Sequence, residues 1–159
     1  MTARPARQEI TVATSVVQLN RRMRSARGQR PASRQWRLRG GAAHYAYSGE
    51  QARQLLGHRL DWASQETWFE DEHGQLLAVV TNGTRAMVML MHDDGDPGEH
   101  LIDSRAEGRS GGFVLANGQV DTYADRDTVV FSVAGRAVAH LIDRGVWPDD
   151  VIVENDRRT

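Results

Sequence analysis

Two short stretches of this chain concentrate carboxylates. One holds Asp93, Asp94, Asp96 and Glu99; the other holds Glu66, Glu70, Asp71 and Glu72. Oxygen ligands in the first could take a hard divalent cation. Their spacing does not follow the EF-hand pattern, and Pro97 stiffens the segment. The reading is therefore a solvated loop, or an acidic surface that meets a basic partner and sets its rate of approach. The second stretch offers carboxylate pairs for general acid–base work. That chemistry needs two groups facing each other across a cleft, so an exposed acidic turn is the default. The six histidines stand at 44, 58, 73, 92, 100 and 140. No two share the i, i+4 spacing of a helical metal motif. No G-x-S-x-G surrounds a serine. With no cysteine in the chain, disulfides, zinc-thiolate sites and a cysteine nucleophile are excluded. These residues point to binding rather than catalysis, with no cofactor or metal expected.

The elements that must position such residues are legible as patterns. Gln75 to Thr81 and Thr84 to Met91 are apolar runs around Asn82-Gly83, which predicts a hairpin with a type I′ turn. Gly111 to Tyr123 predicts a second hairpin around Asn117-Gly118. Ser48-Gly49-Glu50-Gln51 has the form of a capping box and opens a helix whose stripe is Ala52, Leu55 and Leu56. Ser132 is the expected cap of a second helix that runs to Arg144, with Gly145 as its stop and Pro148 beyond. Short strands are expected at His100–Asp103 and Val151–Glu154, and loops at His92–Glu99 and Glu70–Gly74. Trp62 to Phe69 is ambiguous, and Glu9 to Leu19 has loose strand character. The fold expected is α+β: an antiparallel sheet built from hairpins with two helices packed on it.

Charge divides the chain. Residues 1–39 carry ten Arg and one Glu, a balance of +9. Residues 40–159 carry ten Arg against twenty Asp or Glu, a balance of −10. All twenty basic residues are Arg. The expected organisation is a basic, weakly ordered arm over residues 1–42, tacked down at Trp36 and Leu38, and an acidic domain over 43–159. No apolar run approaches the ~20 residues that span a bilayer. Met1 to Asn20 lacks an apolar signal-peptide core, so a cytoplasmic location without membrane contact is expected.

Four pieces then acquire a common meaning: Gly111-Gly112-Phe113, Asn117-Gly118-Gln119-Val120-Asp121-x-Tyr123, Ala137-x-x-x-Leu141 and Gly145-x-x-Pro148-x-x-Val151. From about Trp62 to the end, the chain resembles the immunity-protein-one family of polymorphic-toxin immunity proteins. The family pattern often has an aromatic before a closing acidic residue; here Val153 precedes Glu154. The resemblance implies stoichiometric neutralisation of a cognate toxin, several such toxins resembling nucleic-acid deaminases. A deaminase cleft binds a polyanion and should be basic. An acidic domain would steer towards such a cleft and occlude it. The partner-facing residues expected are Asp93, Asp94, Asp96, Glu99, Asp121 and Tyr123. Asp121 can equally be a local hydrogen-bond acceptor, and aromatics placed as Tyr123 and Trp147 are more often ones that close the core edge. The alternative reading is a nucleic-acid-associated accessory protein acting through the arm. Its single aromatic, Trp36, makes a poor platform for base stacking.

Overall fold

Alternating apolar runs and glycine-bearing turns give ten strands and two helices in the computed structural model, which describes residues 34–41, 45–61 and 65–158. The strands are β1 (Trp36–Leu38), β2 (Ala46–Tyr47), β3 (Glu66–Asp71), β4 (Leu76–Thr81), β5 (Arg85–Met91), β6 (Glu99–Ile102), β7 (Arg109–Val114), β8 (Val120–Ala124), β9 (Val129–Val130) and β10 (Ile152–Asn155). Helix α1 is Gly49–His58 and helix α2 is Phe131–Arg144. Short 3-10 turns cover Arg59–Asp61 and Asp125–Asp127.

Seven strands lie in the order β10-β6-β5-β4-β3-β1-β2, all neighbours antiparallel. β9 joins the same sheet against the start of β5, where Arg85 faces Val130. β7 and β8 form a separate two-stranded ribbon. The fold is α+β, as expected.

β4 and β5 sit at the centre and are buried on both faces. Successive side chains of a strand point to opposite sides, and the two sets have different partners. Leu77, Val79, Val88 and Leu90 pack with Ala52 and Leu56 of α1 and Ala137, Val138 and Leu141 of α2. Leu76, Ala78, Val80, Met87 and Met89 pack with Phe113, Leu115 and Tyr123 of the ribbon. The sheet is thus a middle layer between a helical pair and a hairpin. The helices approach closely at Gly49. A Cβ there would lie 2.3 Å from the Ala139 carbonyl oxygen, and the Gly49 amide donates to Asp143 Oδ1 at 2.8 Å.

Several expectations need correction in detail. Neither Asn-Gly pair is a two-residue corner. In the first hairpin the turn centres on Gly83-Thr84: the Asn82 amide donates to the Arg85 carbonyl at 3.1 Å. The Asn82 side-chain oxygen accepts from the Thr84 and Arg85 amides. In the ribbon the loop has three residues, closed by Leu115 N–H to Gln119 O at 2.8 Å, with Gly118 at φ +85°. Its register shifts between Ser110 and Phe113, so Gly111-Gly112 marks a bulge. The capping box of α1 is present as expected, with Ser48 and Gln51 bonded reciprocally. Helix α2, however, is capped by Val130 and not by Ser132. β9 runs straight into it, and the Phe131 amide donates to the Thr84 carbonyl at 2.9 Å. Backbone thus satisfies a donor that a side-chain cap would otherwise serve. The end of the ambiguous aromatic stretch, from Glu66, is the start of β3, and Glu70 and Asp71, expected in a turn, belong to that strand.

The sheet also begins inside the segment that the charge pattern placed in the basic arm. β1 pairs with β3 from Trp36↔Asp71 to Leu38↔Phe69, and Trp36 is buried in the helical-face core. The expected strand at Glu9–Leu19 lies outside the described residues.

Candidate functional site

The loop from His92 to Gly98 connects β5 to β6, and of the four carboxylates expected to face a partner there, Asp96 is buried and Glu99, at the start of β6, is half-buried. Asp96 is fully buried. Its oxygens accept the His92 amide at 2.8 Å and the Gly98 amide at 3.0 Å. The Arg157 guanidinium closes the set, with Nε at 2.8 Å from Oδ1 and Nη2 on Oδ2. Burial pushes the Asp96 carboxyl up, but the Arg157 hydrogen bond and the two amides outweigh it and hold it below the usual range. Glu99 is the first residue of β6 and accepts the Trp147 indole N–H at 3.1 Å. Trp147 therefore sits half-buried against the core, its polar end used internally. The loop can follow this path because Gly98 has φ +76°. A Cβ there would meet the Leu90 carbonyl oxygen at 2.6 Å.

Asp93 and Asp94 are the exposed members of the loop. Asp93 Oδ1 accepts the Gly95 amide at 2.8 Å, a local turn. Asp94 receives both terminal nitrogens of Arg39, at 3.1 and 3.4 Å. Arg39 also lies over the Trp68 ring, 6.0 Å from its centroid. Arg34 reaches Asp71 at 3.3 Å and Gln75 Oε1 at 2.5 Å. These two arginines from the basic segment are thus bound to the acidic domain of the same chain.

The ribbon residues are internal. Asp121 is 1% exposed and Tyr123 3%. Asp121 accepts Gln119 Nε2 at 2.6 Å and the Tyr123 hydroxyl at 3.0 Å. Tyr123 packs edge-on against Phe113, with centroids 4.7 Å apart. Asp121 is a local acceptor and Tyr123 a core residue. Of the six residues expected to face a partner, Asp96, Asp121 and Tyr123 are buried and Glu99 is half-buried, so Asp93 and Asp94 are the two presented to solvent.

In the second acidic stretch, Glu66 and Asp71 are used by the fold, while Glu72 stays exposed. Glu66 accepts the Trp68 indole N–H and the Ala116 amide, fastening β3 to the ribbon loop. Asp71 is buried and holds the turn to β4 through the His73 and Gln75 amides, at 2.9 and 2.8 Å.

A group not expected from the sequence lies at the sheet edge. His100 of β6 is 1% exposed. Its Nδ1 is 2.7 Å from Asp156 Oδ2 and its Nε2 is 2.8 Å from Asp127 Oδ1. Glu154 Oε2 stands 3.8 Å from the same Nε2 and accepts Arg126 Nη1 at 2.8 Å. Burial lowers the basicity of the ring, but its hydrogen bonds to Asp127 and Asp156 outweigh it and raise the pKa to about 9. The ring is then an imidazolium that donates to both carboxylates and ties the C-terminal tail to β6 and to the turn before β9. The one signal in the sequence was a histidine inside an apolar strand; its partners lie 27 and 56 residues away.

On the opposite edge, a groove of about 400 Å³ runs between the β1–β2 edge and α1, lined by Leu38, Tyr45, Tyr47, Gln51, Leu55 and His58. Among the described residues, no helix is long and apolar enough to cross a membrane. No protein-family model, curated protein or solved structure matches the chain.

Proposed function

We propose that this chain is an immunity protein that neutralises a cognate, basic toxin domain by stoichiometric binding in the cytoplasm. The observation that carries the reading is the balance of −10 over residues 40–159, together with how part of that charge is displayed. Asp93 and Asp94 stand on a loop whose base is locked by Asp96, Gly98 and Arg157. A loop already fixed in place loses little freedom on binding, so its charges act at low entropic cost. Arg39 shows the chemistry that the loop accepts: a guanidinium laid across the Asp94 carboxylate. A basic side chain of the toxin would compete with Arg39 for that seat. Buried Asp71, Asp96 and Asp121 each bond to protein groups that hold turns, the tail or the ribbon. Their roles are structural, which favours binding over catalysis.

Co-expression with the toxin domain encoded beside this gene tests the proposal. A one-to-one complex that survives gel filtration, and cells that outlive toxin induction only when the protein is present, are the expected results. Separate elution at micromolar concentration with no protection overturns it. A salt-sensitive gel shift with DNA or RNA would instead support the nucleic-acid accessory reading.

A further inference from the structure

We propose that His100, Asp127 and Glu154 form a binding site for a divalent transition-metal ion of the zinc type. One ligand atom from each lies within 4.8 Å of the others. They come from three separate elements: β6, the 3-10 turn before β9, and β10. Histidines that bind metal with one ring nitrogen commonly hold the other on a carboxylate, as His100 does. Asp156 holds Nδ1 at 2.7 Å, which fixes the ring and directs Nε2 at the two carboxylates. The ring is buried, whereas the Asp127 and Glu154 side chains are 21% and 43% exposed, so an ion can enter from the rim.

One imidazole nitrogen with two carboxylate oxygens and no thiolate suits zinc or manganese. Three protein ligands leave a fourth position for water. The two nitrogen-to-oxygen separations, 2.8 and 3.8 Å, bracket the roughly 3.4 Å expected between ligands bonded to zinc at about 2.0–2.2 Å. Small side-chain rotations suffice. Arg126 occupies Oε2 of Glu154, but a carboxylate has a second oxygen to offer. On binding, the ion takes the Nε2 lone pair and the proton held there leaves to solvent. Charge then balances: an imidazolium, Arg126 and three carboxylates sum to −1, and with neutral His100 and a divalent ion they sum to zero.

The experiment is a zinc titration of tag-free, chelator-treated full-length protein by calorimetry at neutral pH, with a thermal melt alongside. One equivalent bound and a higher melting temperature are expected. Glu154→Gln lies on the exposed rim and should fold; its circular dichroism is checked first, and Asp127→Asn serves in its place if it does not. Either variant should bind at least tenfold more weakly, and Asp156→Asn roughly 10–100-fold more weakly. The His58→Ala/His73→Ala double variant, at exposed histidines remote from the site, should bind as the parent does. Absence of a binding heat and of any shift in the melt overturns the proposal. So does undiminished zinc binding in a folded Glu154→Gln or Asp127→Asn protein, which would place the ion on other side chains.

Discussion

Arg157 lies across Asp96, sixty-one residues earlier, with Nε 2.8 Å from Oδ1 and 3.1 Å from Oδ2. The Asp96 side chain is wholly buried, and that of Arg157 is 12% exposed. This contact closes the C-terminal tail over the base of the β5–β6 loop. Removing one partner of a buried pair leaves an uncompensated charge and costs about 3–5 kcal/mol. Arg157→Ala should therefore lower the melting temperature by roughly 10 °C, at about 2–4 °C per kcal/mol for a chain of this size. Asp96→Asn should cost a comparable amount, because its NH2 would face N–H donors on one side and Arg157 would lose its counter-charge. Equal melts for Arg157→Ala and the parent would show that the pair contributes nothing.

Stability should fall on both sides of neutrality, for two different groups. His100 in the metal-free protein is raised from an unfolded value near 6.5 to about 9. Its contribution is complete below about pH 6.5 and is lost as pH rises through 9. The groups facing it are Asp127, Asp156 and Glu154, with Arg126 behind Glu154. Asp96 is lowered, so its contribution is present above roughly pH 4 and is lost as pH falls below that. Melts of chelator-treated protein between pH 3 and 10 should rise to a plateau and then decline. In His100→Gln the alkaline decline should flatten, and a decline as steep as the parent's would remove His100 from the account.

What was legible in the sequence followed from local rules. Leu76 to Leu90 read correctly as a hairpin because alternation and a turn signal agree. The Ser48–Gln51 box and the Gly145 stop are likewise signals that span a few residues. The roles of Asp96, Asp121 and His100 were hidden for a common reason. A carboxylate between Gly and Pro reads as solvated unless its cation is known, and Arg157 supplies that cation from the far end of the chain. Tyr123 and Asp121 form a pair two residues apart, yet nothing local says which face of the ribbon is covered by Met87 and Met89. β1 was hidden by its own composition, because Arg37 within it and Arg39 just after it give the strand that carries Trp36 into the core the look of the basic arm.

That burial gives β1 a part in stability that a weakly ordered arm over residues 1–42 would not have. Trp36 is 1% exposed and packs in the core beneath the helices. Truncating a buried Trp to Ala typically costs about 3–5 kcal/mol. Trp36→Ala, and deletion of residues 1–42, should each lower the melting temperature by roughly 10 °C, on the scale of about 2–4 °C per kcal/mol. Melts within a degree or two of the full-length protein would mean that β1 is dispensable to the sheet.

Charge reversal at the loop tip should separate binding from folding, provided that Asp96 is left alone. Asp93 and Asp94 are exposed, and the one ion pair shown for them, between Asp94 and Arg39, is itself exposed, with side chains 76% and 44% accessible. Surface pairs of this kind contribute about 0–1 kcal/mol, so Asp93→Arg/Asp94→Arg should melt close to the parent. If the toxin presents a basic cleft to this loop, the association rate should fall by roughly tenfold or more at low salt, and the gap should narrow as salt rises. Dissociation should change less, because exposed charges act on encounter more than on the docked complex. Arg39→Ala provides the complementary arm. Freeing Asp94 from its internal guanidinium should speed association at low salt. Stopped-flow kinetics at two salt concentrations read both variants. An unchanged association rate in the double reversal would move the toxin-binding face away from this loop, and the exposed Asp149 and Asp150 beyond α2 would be the next surface to reverse.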